Sequence, residues 1–169
     1  MSFPRQSVTV AIADTDRGRR QRYERLLQGE FGISLLTDET SSYEPGIFRA
    51  FLNRRLKPRV DITACENEVA RIKRLKPLVL LVNLNLCTDE DHALLLSLRR
   101  ECPETLIVLL TEDTVQDNKI IRYLEVGVRG YLKSESIQLH LTTAIQVVGC
   151  GEAWVPRKML GNIMDHMLN

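Results

Sequence analysis

The chain has 169 residues, 44% of them hydrophobic and 27% charged, which suits a single globular domain with a full core. A net charge of +1 gives no whole-chain case for nucleic acid or a membrane surface. No apolar run is long enough for a signal peptide or a membrane span.

Charge is unevenly spread along the chain. Lys and Arg outnumber Asp and Glu up to Lys76, and the balance reverses from Pro77 onward. Arg17, Arg19, Arg20, Arg22 and Arg25 fall in one early segment, and Arg49, Arg54, Arg55, Lys57 and Arg59 in a second. Both clusters read first as solvated helix faces; a docking surface for an acidic partner is the alternative. Cys65, Cys87, Cys102 and Cys150 lack CxxC or metal-ligand spacing. They read as small buried hydrophobes in a reducing cytoplasm. His92, His140 and His166 also lack metal spacing and read as helix-surface residues.

In chain order, Val8–Ala13 (VTVAIA) is short, apolar and β-branched and stops at Asp14, which predicts a buried strand. Arg17–Gln28 is a helix with Asp16 as N-cap and Tyr23, Leu26 and Leu27 inward. Ile33–Thr37 is a second strand. Thr40–Pro45 is a loop and Ile47–Leu56 a helix. Val60–Cys65 reads as a further strand beside Ile33–Thr37 at one sheet edge, and Glu66–Leu75 as a helix. Val79–Asn83 is apolar throughout and predicts a strand buried on both faces. Asp89–Cys102 is a helix capped by Thr88 or Asp89. Thr105–Thr111 is another buried strand, Val115–Val126 a helix closed by Gly127, and Arg129–Leu132 a short strand. Ile137–Val148 is a helix closed by Gly149 and Gly151.

Strands alternating with helices, and too apolar to face water, predict an α/β fold: a doubly wound, flavodoxin-like five-stranded parallel sheet in the order 2-1-3-4-5. The expected organisation is one domain over 1–152, with an insertion at about 38–60, followed by a linker or dimerisation helix over 153–169. In this topology a site forms at the carboxyl ends of the strands. Asp14, Asn83 and Thr111 lie there. The tail starts at Pro156, which suits a first helical turn. Met159, Leu160, Ile163, Met164, Met167 and Leu168 then recur at helical spacing. That stripe reads either as packing on its own domain or as a face for a second copy or a partner protein.

Five segments together resemble the receiver domain of two-component response regulators, the CheY-like module, in the style joined to LuxR-type helix-turn-helix regulators. They are IADTD (Ile12–Asp16), KPLVLLVNLNL (Lys76–Leu86), VLLTEDT (Val108–Thr114), EVGVRGYLKSES (Glu125–Ser136) and AIQVVGCGEAWV (Ala144–Val155). The resemblance implies a phosphorylation pocket, and the pocket is degenerate. The family's paired metal-binding acids fall on Asp14 and Thr15, with Asp16 one place late. The phosphoacceptor position holds Asn83, and a neutral amide is a poor nucleophile and a poor metal ligand. The hydroxyl is kept as Thr111 and the switch aromatic as Tyr131. The Lys position holds Ser134, with Lys133 one place early, and one step on a strand reverses the face.

These departures imply an atypical receiver, not an enzyme, that regulates transcription in the cytoplasm through a protein partner or a homodimer. Asp14 is the one weak candidate for a metal, and no cofactor, Mg²⁺ included, is expected. DNA would be reached only through an output domain outside this chain. The alternative is a receiver that still takes phosphate on Asp14 or Asp16. A nucleotide or flavin binder on the same topology is the third reading, but no GxGxxG follows the first strand and no GxxxxGK[ST] occurs.

Overall fold

The computed structural model describes residues 6–38, 60–87, 92–112 and 115–169. Its strands are β1 (Val8–Ala13), β2 (Ile33–Leu35), β3 (Val79–Asn83), β4 (Leu106–Thr111) and β5 (Gly130–Lys133). Its helices are α1 (Arg17–Leu27), α2 (Val60–Leu75), α3 (Ala93–Glu101), α4 (Asp117–Glu125), α5 (Ser134–Gly149) and α6 (Arg157–Leu168), with a 3-10 turn at Leu84–Leu86.

The five strands form one parallel sheet in the order β2-β1-β3-β4-β5. Alternate residues of the central strands feed two cores, because successive side chains of a strand point to opposite faces. On one face Leu80, Val82, Ile107 and Leu109 pack with Ile72 of α2, Leu94, Leu95 and Leu98 of α3, and Ile120 and Ile121 of α4. On the other, Val10, Ile12, Leu81 and Leu110 pack with Tyr23 and Leu27 of α1 and with Ile137, Leu141, Ile145 and Val148 of α5. Helices cover both faces, so neither side of β1, β3 or β4 needs polar residues until the strands end.

The edge at β5 is covered by the chain leaving α5. Trp154 donates its amide to Arg129 O at 3.0 Å and its carbonyl accepts from Tyr131 N at 2.9 Å. This bridge satisfies backbone groups that an exposed edge would leave open.

Several sequence expectations change. Val60–Cys65 is not a strand; it forms the first turns of α2. Ile62, Cys65, Val69 and Ile72 recur every three or four residues, and no Gly or Pro interrupts 60–75, so the helical period runs through the segment. The second strand is Ile33–Leu35 alone, paired in register from Val8↔Ile33 to Val10↔Leu35. The loop Thr40–Pro45, the helix Ile47–Leu56 and nearly all of the insertion at about 38–60 lie outside the described residues. So do the cap candidates Thr88 and Asp89.

Helix α3 starts at Ala93, because His92 has a left-handed φ of 50° and cannot continue a helix. Helix α5 starts three residues earlier than expected, with Glu135 in its first turn, where a negative charge suits the helix dipole. Gly127 closes α4 with a φ of 108°, a conformation that favours glycine. Cys87 and Cys102 are buried, but Cys65 is half-buried and Cys150 is exposed, since it follows the end of α5 and leaves the sheet. His92 is half-buried, its ring edge-on to Tyr123 at 4.9 Å.

Candidate functional site

Parallel register brings the strand ends together. Ala13 lies opposite Val82, Asn83 opposite Leu110, and Thr111 opposite Lys133. Asp14, Asn83 and Thr111 therefore meet at one end of the sheet, and all three are buried.

The Asp14 carboxylate is closed off from solvent. Arg19 reaches it through a two-pronged contact, Nε to Oδ2 at 2.6 Å and Nη2 to Oδ1 at 2.6 Å. Asp16 N donates to Oδ1 at 2.8 Å. Local geometry explains the reach. Asp16 is the N-cap of α1, and its Oδ1 accepts from Arg19 N at 3.0 Å. Arg19 thus sits in the first helical turn, where side chains lean toward the N-terminus and so back over the end of β1. Hydrogen bonding to Asp14 raises the already high pKa of the guanidinium, and burial opposes this. The backbone N–H of Arg19 holds the Asp16 carboxyl below its ordinary value. Glu112, half-exposed, lies 3.6 Å from Arg19 Nη1.

Arg19 is the site residue that sequence reasoning missed. It was grouped with the solvated basic face of α1, yet it is 7% exposed while Arg17, Arg22 and Arg25 are exposed. The available signal was its place three residues after the Asp16 cap and five after the last buried-strand acid.

At the end of β3, Asn83 caps the 3-10 turn. Its Oδ1 accepts from Asn85 N at 3.0 Å. Its Nδ2 is buried and has no hydrogen-bond partner among the described residues. Thr15 is exposed. Tyr131 is buried with Leu109, Ile120 and Met159 on the α4 side of the sheet. Burial pushes its phenol pKa up, with the Asp117 charge adding to this. Lys133 is exposed at the end of β5. Ser134 lines a groove between α1 and α5 with Arg22, Tyr23 and Glu112.

A divalent ion in a receiver pocket would need free carboxylate oxygens. The residues here do not fit it: both oxygens of Asp14 already accept hydrogen bonds, one oxygen of Asp16 caps α1, and the third position holds an amide. No chemical step through a metal follows from this arrangement.

The tail stripe divides. Met159 is buried and Ile163 half-buried against the α4 side, and Asn162 Nδ2 donates to Asp117 Oδ2 at 3.3 Å. His166 meets Glu125 of α4. Leu160, Met164, Met167 and Leu168 face outward, 49% to 82% exposed. Of the six residues of the stripe, Leu160, Met164, Met167 and Leu168 are exposed, while Met159 and Ile163 pack α6 against its own domain.

The sequence matches no family model and no curated protein sequence. Solved structures do match. A LuxR-family two-component response regulator from an Aurantimonas species superposes with a TM-score of 0.68 at 14% identity, covering 97% of this chain and 100% of that one. The isolated receiver domain of RcsB from Salmonella enterica serovar Typhimurium gives 0.64 at 16% identity, covering 94% and 99%. The chain has the receiver fold of response regulators. A LuxR-family DNA-binding response regulator from Silicibacter pomeroyi adds a third match, with a TM-score of 0.54 at 22% identity over 89% of this chain and 98% of that one. The receiver fold accounts for the strand order, for the helices on both faces and for the convergence of Asp14, Asn83 and Thr111. Among the described residues no helix is long and apolar enough to cross a membrane.

Proposed function

We propose that this chain is an atypical receiver domain that signals without being phosphorylated, as a cytoplasmic protein-interaction and dimerisation module in transcription regulation. It is not an enzyme in this reading. The observation that carries it is Asn83. Phosphoryl transfer to a receiver needs a carboxylate nucleophile at the tip of β3. Here that position holds an amide whose oxygen accepts from Asn85 N.

The displaced-acid alternative, in which Asp14 or Asp16 takes the phosphate, has less support. Asp14 is buried with both oxygens bonded, and Asp16 uses one oxygen to cap α1. The test is intact mass after incubation with a small phosphodonor and Mg²⁺. The expected mass is unchanged; a stable gain of one phosphoryl group overturns the reading.

The partner surface in this proposal is the outward stripe of α6, and the partner is a second copy. Leu160, Met164 and Met167 form an apolar row on a helix already anchored from behind by Met159. Anchoring lowers the ordering cost of an interface. A structure of RcsB dimers bound to DNA matches with a TM-score of 0.62, at 16% identity, over 94% of this chain and 69% of that chain. DNA binding, in this proposal, is done by an output domain outside these residues. Solution mass tests the dimer: Met164→Glu should halve it. An unchanged mass in that variant, or a monomeric wild type, refutes the α6 interface. Truncation at Val155 would strip Met159 from the core and is a poorer test.

A further inference from the structure

Burying a carboxylate demands a counter-charge, because desolvation of an unpaired ion costs several kcal/mol. A receiver-type pocket ordinarily leaves that role to a mobile ion. In this chain the Asp14 carboxylate is fully buried, and the neighbouring strand end contributes Asn83 and no second charge. The compensating charge comes from the chain itself. The Arg19 guanidinium covers the carboxylate edge with two bonds of 2.6 Å each, in the side-by-side geometry that makes arginine–carboxylate pairs strong and directional.

We infer that Arg19 is a tethered cation that occupies the metal position of this pocket, so that the folded domain neither needs nor admits a divalent ion. The inference rests on the reading of the pocket as a receiver pocket that has lost phosphotransfer, and it fails separately from that reading. A wild type that bound Mg²⁺ yet gained no phosphoryl mass would sink the tethered cation and leave the first proposal standing.

Two features support a fixed occupant over a passing contact. The α1 N-cap sets the position of Arg19, since Asp16 Oδ1 holds the Arg19 amide while Asp16 N holds Asp14. The three residues therefore form a closed circuit of hydrogen bonds at the β1–α1 junction. The guanidinium is also nearly as buried as its partner, with side-chain exposures of 8% and 0%, so water screens the pair weakly.

The test uses the whole chain and two cations, Mg²⁺ and Mn²⁺. Wild type should show no calorimetric binding of either and the same melting temperature in their presence as in chelator. Arg19→Met should melt about 10 °C lower, because Asp14 is left unpaired. Part of that loss should return with millimolar Mn²⁺, or with the second substitution in Asp14→Asn/Arg19→Met, which removes the charge that needs compensation. Recovery by either route upholds the proposal. It falls if wild type binds a divalent ion, or if neither route restores Arg19→Met. Should Arg19→Met fail to fold, the double variant must fold; failure of both variants also overturns the proposal.

Discussion

The strand-end pocket and the outer face of α6 make opposite use of their residues. In the pocket, charged and polar groups are buried and turned on one another: Asp14 on Arg19, and Asn83 on the backbone of Asn85. On α6, apolar groups stand in solvent: Leu160, Met164 and Met167. A receiver that works by phosphorylation needs the reverse at its pocket, with open carboxylates ready for a metal and a phosphoryl donor. The contrast separates two kinds of surface: at the strand ends the Asp14 carboxylate is already held by groups of the same chain, whereas the outer face of α6 leaves its apolar groups uncovered.

The strongest way to break that comparison is to remove one half of the pocket pair. Asp14→Ala leaves a buried guanidinium without its partner and should cost about 3–5 kcal/mol, read as a lower urea midpoint. A loss below about 1 kcal/mol would place the pair among ordinary surface contacts and dissolve the contrast.

Next in size is the division of α6. Met159→Ala should cost about 2–5 kcal/mol through the cavity it leaves. Met164→Ala, on the outer face, should lie within about 0.5 kcal/mol of wild type when measured at a concentration where the chain is monomeric. Equal losses would show that the two faces of the helix are not distinct.

A smaller effect comes from alkaline pH. Burial raises the phenol pKa of Tyr23 and Tyr131 above the ordinary 10.0. The unfolded phenols ionise near that value while the folded ones stay protonated. The stability that depends on neutral phenols is therefore complete below pH 10 and declines above it. The urea midpoint should fall over that range and recover in part with Tyr→Phe substitutions at the two sites; a flat profile would contradict the burial argument.

The smallest change is at the cap. Asp16→Asn keeps an acceptor for Arg19 N and should be nearly silent, whereas Asp16→Ala should lower the melting point slightly. Because the Asp16 pKa is depressed, the charged part of this cap is present above the ordinary carboxylate range and is lost as pH falls through the lowered value.

The fold was legible because each central strand is apolar on both faces and stops at a polar residue. Val8–Ala13 and Val79–Asn83 could be bounded to the residue for that reason. Asp16 and Gly127 marked helix ends by their own chemistry. The segment Val60–Cys65 was misread because six residues are too few to separate a strand from the first turns of a longer apolar helix. The convergence of Asp14, Asn83 and Thr111 was legible, since parallel register fixes where residues at strand tips lie. Arg19 was not, because a helix-borne side chain reaches the pocket by leaning backward, and its type resembles that of its solvated neighbours. The split of the tail stripe depended equally on tertiary contact: the period spreads the stripe over a wide arc, and only packing against α4 decides that the Met159 edge is the buried one.

The bridge at Trp154 has a mechanical consequence. Tyr131 N bonds to Trp154 O, and Tyr131 packs in the same cluster as Met159, the residue that pins the start of α6. One main-chain bond and a shared core cluster therefore tie β5 to the start of α6. The seat of the exit helix is thus built partly from the sheet's last strand, so a substitution that loosens the β5 edge is expected to weaken the docking of α6 as well.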